Sequence, residues 1–385
     1  MNWNQLIEQT LDLTRTNISR FQSGFPHVSQ GDGKYQLVEH TDWTEGFWSG
    51  ILWLSYEYSR DEKIRQAAAA ATASFQARLA KRSHLDHHDI GFLYLLSTGA
   101  QWIVEHDEAA RQSTLEAAGL LRERWRPAAR ILQAWGPEGD EINGGRIIID
   151  CLMNLPLLYW ASQQTGDPGY ADIARIHAEQ SRRFLVRGDG SSYHTFYFDP
   201  ATGDAVRGGT HQGFRDGSTW TRGQAWGIYG FALAYRYFKD AAFLDTSKRL
   251  ARYFIEHLPE DQIAYWDFDA PQTDGEPRDS SASAIAACGV LELAEHLPAD
   301  DPDRAELLAF AERSVASLAK HCFSDGTNGA REGEDEGEGF LRHGSYYVRG
   351  GIATDDYVIW GDYFFLEALM RLGHGIPGYW YERGR

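Results

Sequence analysis

The chain has 385 residues, of which 43% are hydrophobic and 13 are tryptophan, enough apolar material for an extensive core in one domain or two. A formal net charge of -18 with no basic block argues against nucleic-acid binding, which draws on clustered Lys and Arg. Three cysteines, Cys151, Cys288 and Cys322, without CxxC spacing supply neither a disulfide framework nor a zinc knuckle.

The first residues lack a basic start followed by an apolar run, and no apolar run approaches the roughly 18 residues of a membrane span. A cytoplasmic protein is expected, with no membrane or nucleic-acid partner. From there two kinds of helical segment alternate. Amphipathic, polar-faced ones fall at about 3–20, 61–82, 101–125, 168–186, 240–257 and 302–320. Segments apolar or aromatic nearly all round fall at about 43–58, 88–98, 146–162, 219–237, 279–297 and 356–372. The first kind suits an outer layer and the second a buried one. Strict alternation predicts an all-α fold, six helical hairpins closed into an (α/α)6 double toroid with short β-hairpin insertions. The strand–helix alternation of a doubly wound sheet or a TIM barrel is missing. No linker marks a boundary, so residues 1–385 read as one domain.

The inner segments begin with helix-start chemistry. Asp42 to Glu45 and Thr221 to Gln224 have capping-box spacing, and Gly144–Gly145, Asp216 or Ser218, Asp279–Ser280 and Asp355–Asp356 offer turns or caps. Parallel inner helices would gather their N-termini, and their positive dipole ends, at one mouth suited to an anionic ligand. Residues 191–199 read as a strand, Asp199 to Asp204 as a turn into a second, and Gly208 to Gly213 as a Gly-rich loop without the phosphate-loop pattern. The acidic run 331–339 reads as a solvated surface loop or a mobile rim.

Asp150 stands out because it lies within one of the most apolar runs of the chain, Gly144 to Trp160. A buried carboxyl must find partners or hold its proton, as a general acid does. Asn154 would share a helix face with it. A structural Asp bonded to a backbone end or an Arg is the alternative, and this segment alone does not decide. Asp89, opening the preceding inner helix, would face Asp150 across the mouth, and paired carboxylates are the equipment of glycoside hydrolysis. His84, His87, His88 and Asp89 are closely spaced, but without HExxH or a further ligand cluster no metal or other cofactor is expected. Most tryptophans read as core. Trp43, Trp135, Trp220 and Trp226 lie near the expected mouth, where an indole can stack on a sugar ring. Arg222 is a cation at a dipole-positive helix start, which makes it a candidate partner for an acidic ligand group.

The segments DWTEGFWSGILWL (42–54), LDHHDIGFLY (85–94), QAWGPEGD (133–140), NGGRIIIDCLMNLPLL (143–158), SSYHTFYFD (191–199), GGTHQG (208–213), DGSTWTRGQAWGIYGFA (216–232), RDSSASAIAACG (278–289) and GSYYVRGGIATDDYVIWGDYFFLEAL (344–369) resemble those of unsaturated glucuronyl hydrolases, glycoside hydrolase family 88. The resemblance covers essentially the whole chain and implies the same toroid. It implies a substrate made by polysaccharide lyases, of glycosaminoglycan or gellan/xanthan type, ending in a uronic acid with a C4=C5 double bond. Such enzymes hydrate this vinyl ether, and the hemiketal formed collapses and releases the sugar behind it. Asp150 matches the general acid and base. Asp89 matches a second carboxylate, read as positioning and tuning Asp150. Trp43, His88, Trp135, His194, Thr210, His211, Gln212, Arg222 and Trp226 match pocket residues, with Gly208 and Ser345 in the same matched segments.

In some relatives a Ser- and Lys-containing segment near the last inner helix accommodates sulfate. That pattern is not recognisable in Arg342 to Arg349, so unsulfated or weakly sulfated substrates are expected, with a monomer or weak dimer as the working state. The nearest rival is an unsaturated rhamnogalacturonyl hydrolase. A non-catalytic oligosaccharide-binding toroid is the rival from another class.

Overall fold

In the computed structural model, residues 1–326 and 337–383 are described. Outer helix α1 (Trp3–Phe21) is followed by strands β1 (Phe25–Ser29) and β2 (Tyr35–Val38), then by inner helix α2 (Glu45–Ser59) and outer helix α3 (Glu62–Lys81). The second inner element joins α4 (Ile90–Tyr94), a π-turn (Leu95–Gly99) and α5 (Ala100–Glu105), and α6 (Glu108–Glu123) returns outside. Strands β3 (Trp125–Arg126), β4 (Ile131–Leu132) and β5 (Arg146–Ile148) precede a 3-10 turn (Ile149–Met153), inner helix α7 (Pro156–Thr165) and outer helix α8 (Pro168–Phe184). Strands β6 (Thr195–Phe198) and β7 (Ala205–Gly209) lead to inner α9 (Thr221–Phe238) and outer α10 (Ala241–Glu256). Inner α11 (Ser280–Glu295), outer α12 (Pro302–His321) and inner α13 (Ile359–His374) complete the chain. Because α13 packs against α2, the inner ring closes. The fold is the (α/α)6 toroid.

The two layers start differently. Asp61, Asp107, Asp167, Asp240 and Asp301 cap the outer helices α3, α6, α8, α10 and α12 through their side chains. Among the inner helices, Asp279 caps α11, whereas α2, α4, α7, α9 and α13 have no side-chain cap. Several of their first N–H groups are met otherwise, Phe92 by the Asn154 side chain and Phe47, Leu157 and Gly361 by backbone carbonyls. The expected capping boxes therefore do not form in full. Thr44 Oγ1 bonds His27 Nδ1, while Glu45 reaches back to the Asp42 N–H. Thr221 Oγ1 donates to the Tyr265 carbonyl instead.

Three further expectations need correction. The second inner segment runs on to Glu105 and the outer helix starts at Glu108, because His106 in a left-handed conformation (φ 57°) and the Asp107 cap set the break there. The segment 146–162 is not one helix. Its β-branched start pairs with β6 (Arg146 opposite Tyr197, Ile148 opposite Thr195), Asp150 sits in the 3-10 turn, and Pro156, which lacks an N–H, opens α7. Asn154 consequently does not lie along a helix face with Asp150; its side chain donates to the Asp150 carbonyl and accepts the Phe92 N–H. Of the acidic run, residues 331–336 lie outside the described residues. Gly337 and Gly339 are buried, and the Glu338 carboxylate accepts the Tyr35 N–H, so this end is tied to β2.

Packing fills the axis. Phe92 meets Trp43 and Trp226, and Trp226 meets Phe364. Phe364 stacks on Trp380 of the C-terminal tail with rings parallel at 5.9 Å. Trp380 is fully buried and donates through Nε1 to Glu367. Glu367 and Glu292 both pair with buried Arg371, so the charges at this far end compensate one another. Among the described residues, no helix is long and apolar enough to cross a membrane.

Candidate active site

The mouth is built from what precedes the inner helices. A cavity of about 330 Å³ is lined by Thr41, Asp42 and Trp43 before α2, His87 and Asp89 before α4, Trp135, Asp150, His211 and Gln212 before α9, and Tyr346 and Tyr347 before α13. The size is that of a small-ligand pocket.

Asp89 and Asp150 are brought together by a close approach of their two segments. A Cβ on Gly91 would lie 2.5 Å from the Asn154 Cα, so only glycine admits the contact that joins them. His88 Nε2 lies 3.5 Å from Asp89 Oδ1 and 3.6 Å from Asp150 Oδ1. The ligand atoms of all three residues lie within 4.8 Å of one another. Burial, then the facing charge of Asp89, pushes the Asp150 carboxyl well above the usual carboxylate range, against the weaker pull of Arg222 and Arg146. Burial would also raise Asp89, but the imidazoles of His88 and His87 and the Arg124 guanidinium outweigh it and hold Asp89 below that range. Two like charges this close share one proton, and Asp150 keeps it. Burial holds His88 at about 4, so it is neutral at pH 7. Asp150 Oδ1 and both His88 ring nitrogens are buried without a hydrogen-bond partner.

The walls are aromatic. Trp43 tilts against Trp360 at 5.2 Å, Trp135 meets His211 edge-on, and His211 stacks on Tyr347 at 5.1 Å. The β5–β6–β7 sheet carries the far wall. His194 Nδ1 accepts the backbone N–H of His211 and of Gln212, so its proton is on Nε2, and burial keeps the ring neutral. Gln212 in turn donates to the Tyr346 carbonyl.

A cluster of this kind, two carboxylates of unlike proton affinity between aromatic walls, is built for proton transfer to a ring stacked between them. The family model for Glycosyl Hydrolase Family 88 matches residues 17–371. The chain belongs to that family.

Its similarity to family 88 relatives runs end to end. It is 60% identical over 383 residues to the unsaturated glucuronyl hydrolase of Bacillus sp. (strain GL1), covering 100% of each chain. The crystal structure of that Bacillus protein superposes with a TM-score of 0.96, again covering 100% of both. The unsaturated chondroitin disaccharide hydrolase of Streptococcus pyogenes serotype M1 is 42% identical over 378 residues, with 97% of this chain and 93% of that protein covered. As a family 88 member the protein is a glycoside hydrolase.

Of the residues singled out by sequence, Trp43, Asp89, Trp135, Asp150, His211 and Gln212 line the cavity. The others stand behind it. His88 is buried between the carboxylates, and His194 under the His211 loop. Thr210 Oγ1 accepts the Gly213 N–H, and Gly208 lies where a Cβ would strike the Tyr193 ring at 2.7 Å. Trp226 belongs to the axial aromatic column. Arg222 is not a free cation. It pairs with Asp279 at 2.6 Å and donates to the carbonyls of Ser345 and Tyr346, which makes it the anchor of the Tyr346 wall. Thr41, Asp42, His87, Tyr346 and Tyr347 were not singled out for the pocket. The adjacent tyrosines in a loop were the available signal. Arg146, a cation in the same apolar run as Asp150, was another.

Proposed function

We propose that this family 88 hydrolase hydrates the C4=C5 double bond of an unsaturated glucuronic acid at the non-reducing end of lyase-generated oligosaccharides. The observation that carries the reading is Asp150, a carboxyl with its Oδ1 buried that keeps its proton opposite an ionised Asp89, in a pocket walled by Trp43 and Trp135. Asp150 donates that proton to C4, and the π electrons of the vinyl ether form the new C–H bond. The resulting oxocarbenium character at C5 and the ring oxygen is stabilised by the Asp89 charge. Asp150, now ionised, takes a proton from the water that adds to C5, regenerating the acid. The C5 hemiketal opens to a ketone, leaving a hemiacetal at C1 that expels the neighbouring sugar. The uronate leaves in its hydrated, keto form.

The pair is too close for an inverting glycosidase, whose carboxyl groups stand about 6.5–9.5 Å apart to hold a water between them. The lining, which among the described residues contains Asp42 and no lysine or arginine, supports a preference for unsulfated substrates. The similarity to enzymes named for unsaturated glucuronyl and chondroitin substrates supports the same substrate class here.

The test is ultraviolet absorbance of an unsaturated glucuronyl disaccharide. The conjugated double bond absorbs, and hydration abolishes the signal. Decay with wild type is the expected result. A flat trace, with turnover of a saturated or rhamnogalacturonan-derived substrate, would overturn the reading.

A further inference from the structure

Five arginines are buried in the described structure, and their charges are compensated differently. Arg78, Arg222 and Arg371 each pair with a carboxylate. Arg124 also has no ion-pair partner among the described residues and is held by the backbone carbonyls of Gln133 and Gly136. Arg146, 6% exposed, has only neutral side-chain acceptors, the Thr195 hydroxyl at 3.0 Å and the Asn143 amide oxygen at 3.4 Å. Among the described residues no carboxylate stands within ion-pair distance of it. A buried cation in that condition is costly unless an anion arrives.

Its position relative to the pocket is defined. The guanidinium lies 4.3 Å from the centre of the Trp135 ring, a cation–π contact with a residue that lines the cavity. The Arg146 carbonyl accepts the Ala134 N–H, and the Ala134 carbonyl accepts the His88 N–H. Arg146, the Trp135 loop and the His88–Asp89 segment are thus bonded in series.

We propose that Arg146 is a positioning residue for an anionic substrate: its unpaired guanidinium fixes the Trp135 indole and supplies the positive charge toward which the substrate carboxylate is drawn. The inference rests on the uronate reading above and adds the group that senses the uronate charge. Arg222 differs in that Asp279 already pairs with it. The same charge acts on Asp150. The charged or titratable groups facing Asp150 are Asp89 and His88 from the segment before α4, Arg222 from α9 and Arg146 from β5. Around Arg146 itself stand Tyr197, Arg207, His194 and His211. Removing the cation makes Asp150 hold its proton to higher pH, so the alkaline limb of activity moves up.

The experiment compares wild type, Arg146→Met and Arg146→Lys on the unsaturated disaccharide and on its carboxyl methyl ester, with kcat and KM resolved across pH. The expected result for Arg146→Met is a KM for the free acid raised on the order of 10- to 100-fold. The ester should be much less affected, the alkaline limb of kcat/KM should move upward, and Arg146→Lys should restore both in part. Arg146→Gln, which retains a bond to Thr195, serves if the Met variant does not fold. Equal losses on acid and ester with an unmoved pH profile would reduce Arg146 to scaffolding and overturn the inference while leaving the functional reading intact. Failure of wild type on the disaccharide would overturn the functional reading and this inference with it.

Discussion

Asp150 Oδ1 and His88 Nε2 face each other at 3.6 Å, both buried and neither hydrogen-bonded within the described structure. Because burial keeps the imidazole neutral, it offers Asp150 no counter-charge. The carboxyl is left to the influence of Asp89 and the apolar wall, and both favour the protonated form.

Asp150→Asn keeps the shape of that group and removes its exchangeable proton. Turnover of the unsaturated disaccharide should fall by several orders of magnitude with KM nearly unchanged, because the interaction lost is made in the transition state. Steady-state kinetics followed by ultraviolet absorbance measure it directly. Undiminished turnover would remove Asp150 from the chemistry.

The pH profile carries the sign of the coupling between the two carboxylates. The active form has Asp150 protonated, so kcat/KM declines as pH rises through its raised pKa. Asp89→Asn deletes a negative charge that helps raise it. The alkaline limb of the residual activity should therefore move to lower pH, opposite in direction to the Arg146→Met shift. An unmoved limb would mean that Asp89 does not tune Asp150.

Arg222 and Asp279 are 1% and 0% exposed in their side chains and 2.6 Å apart. Arg222→Met strands a buried carboxylate and should cost about 3–5 kcal/mol of stability, read from the denaturant midpoint. It also frees the Ser345 and Tyr346 carbonyls, so KM should rise. Adding Asp279→Asn should recover part of the stability and little of the KM, which separates the charge from the wall it anchors.

At the opposite end, Trp380→Ala opens a cavity between Phe364 and Tyr229 and leaves Glu367 without one of its donors. A loss of about 3–5 kcal/mol is expected, seen as a lower Tm. The pH limbs of kcat/KM should stay in place, since Trp380 lines none of the pocket. A moved limb would show that the tail reaches the chemistry.

His88, Asp89 and Asp150 have ligand atoms close enough for a metal ion, yet a carboxyl that keeps its proton is a poor ligand. Prolonged dialysis against a chelator should leave turnover unchanged. Inactivation reversed by a divalent ion would give this cluster a different role.

The layering of the fold was legible because inner and outer helices differ in how much of their circumference is apolar. The segment 146–162 defeated the same reasoning. An apolar run has no face, so its β-branched start at Arg146 to Ile148 pairs as a strand without any change in hydrophobicity to announce it. Asp150 was legible for a related reason, since a carboxyl inside that run is conspicuous in either conformation. The Arg222–Asp279 ion pair was not legible because the two residues stand 57 apart in the chain, a distance that spacing cannot bridge. Trp226 matched a pocket segment and packs in the axial column against Phe92 and Phe364.

That column has a consequence for traffic. With Trp226, Phe364 and Trp380 filling the axis, the toroid is a cul-de-sac and not a tunnel. A polysaccharide cannot thread it, so only a chain terminus can be presented to Asp150. On the proposed reaction, the keto acid and the truncated chain then leave by the same mouth through which the substrate entered.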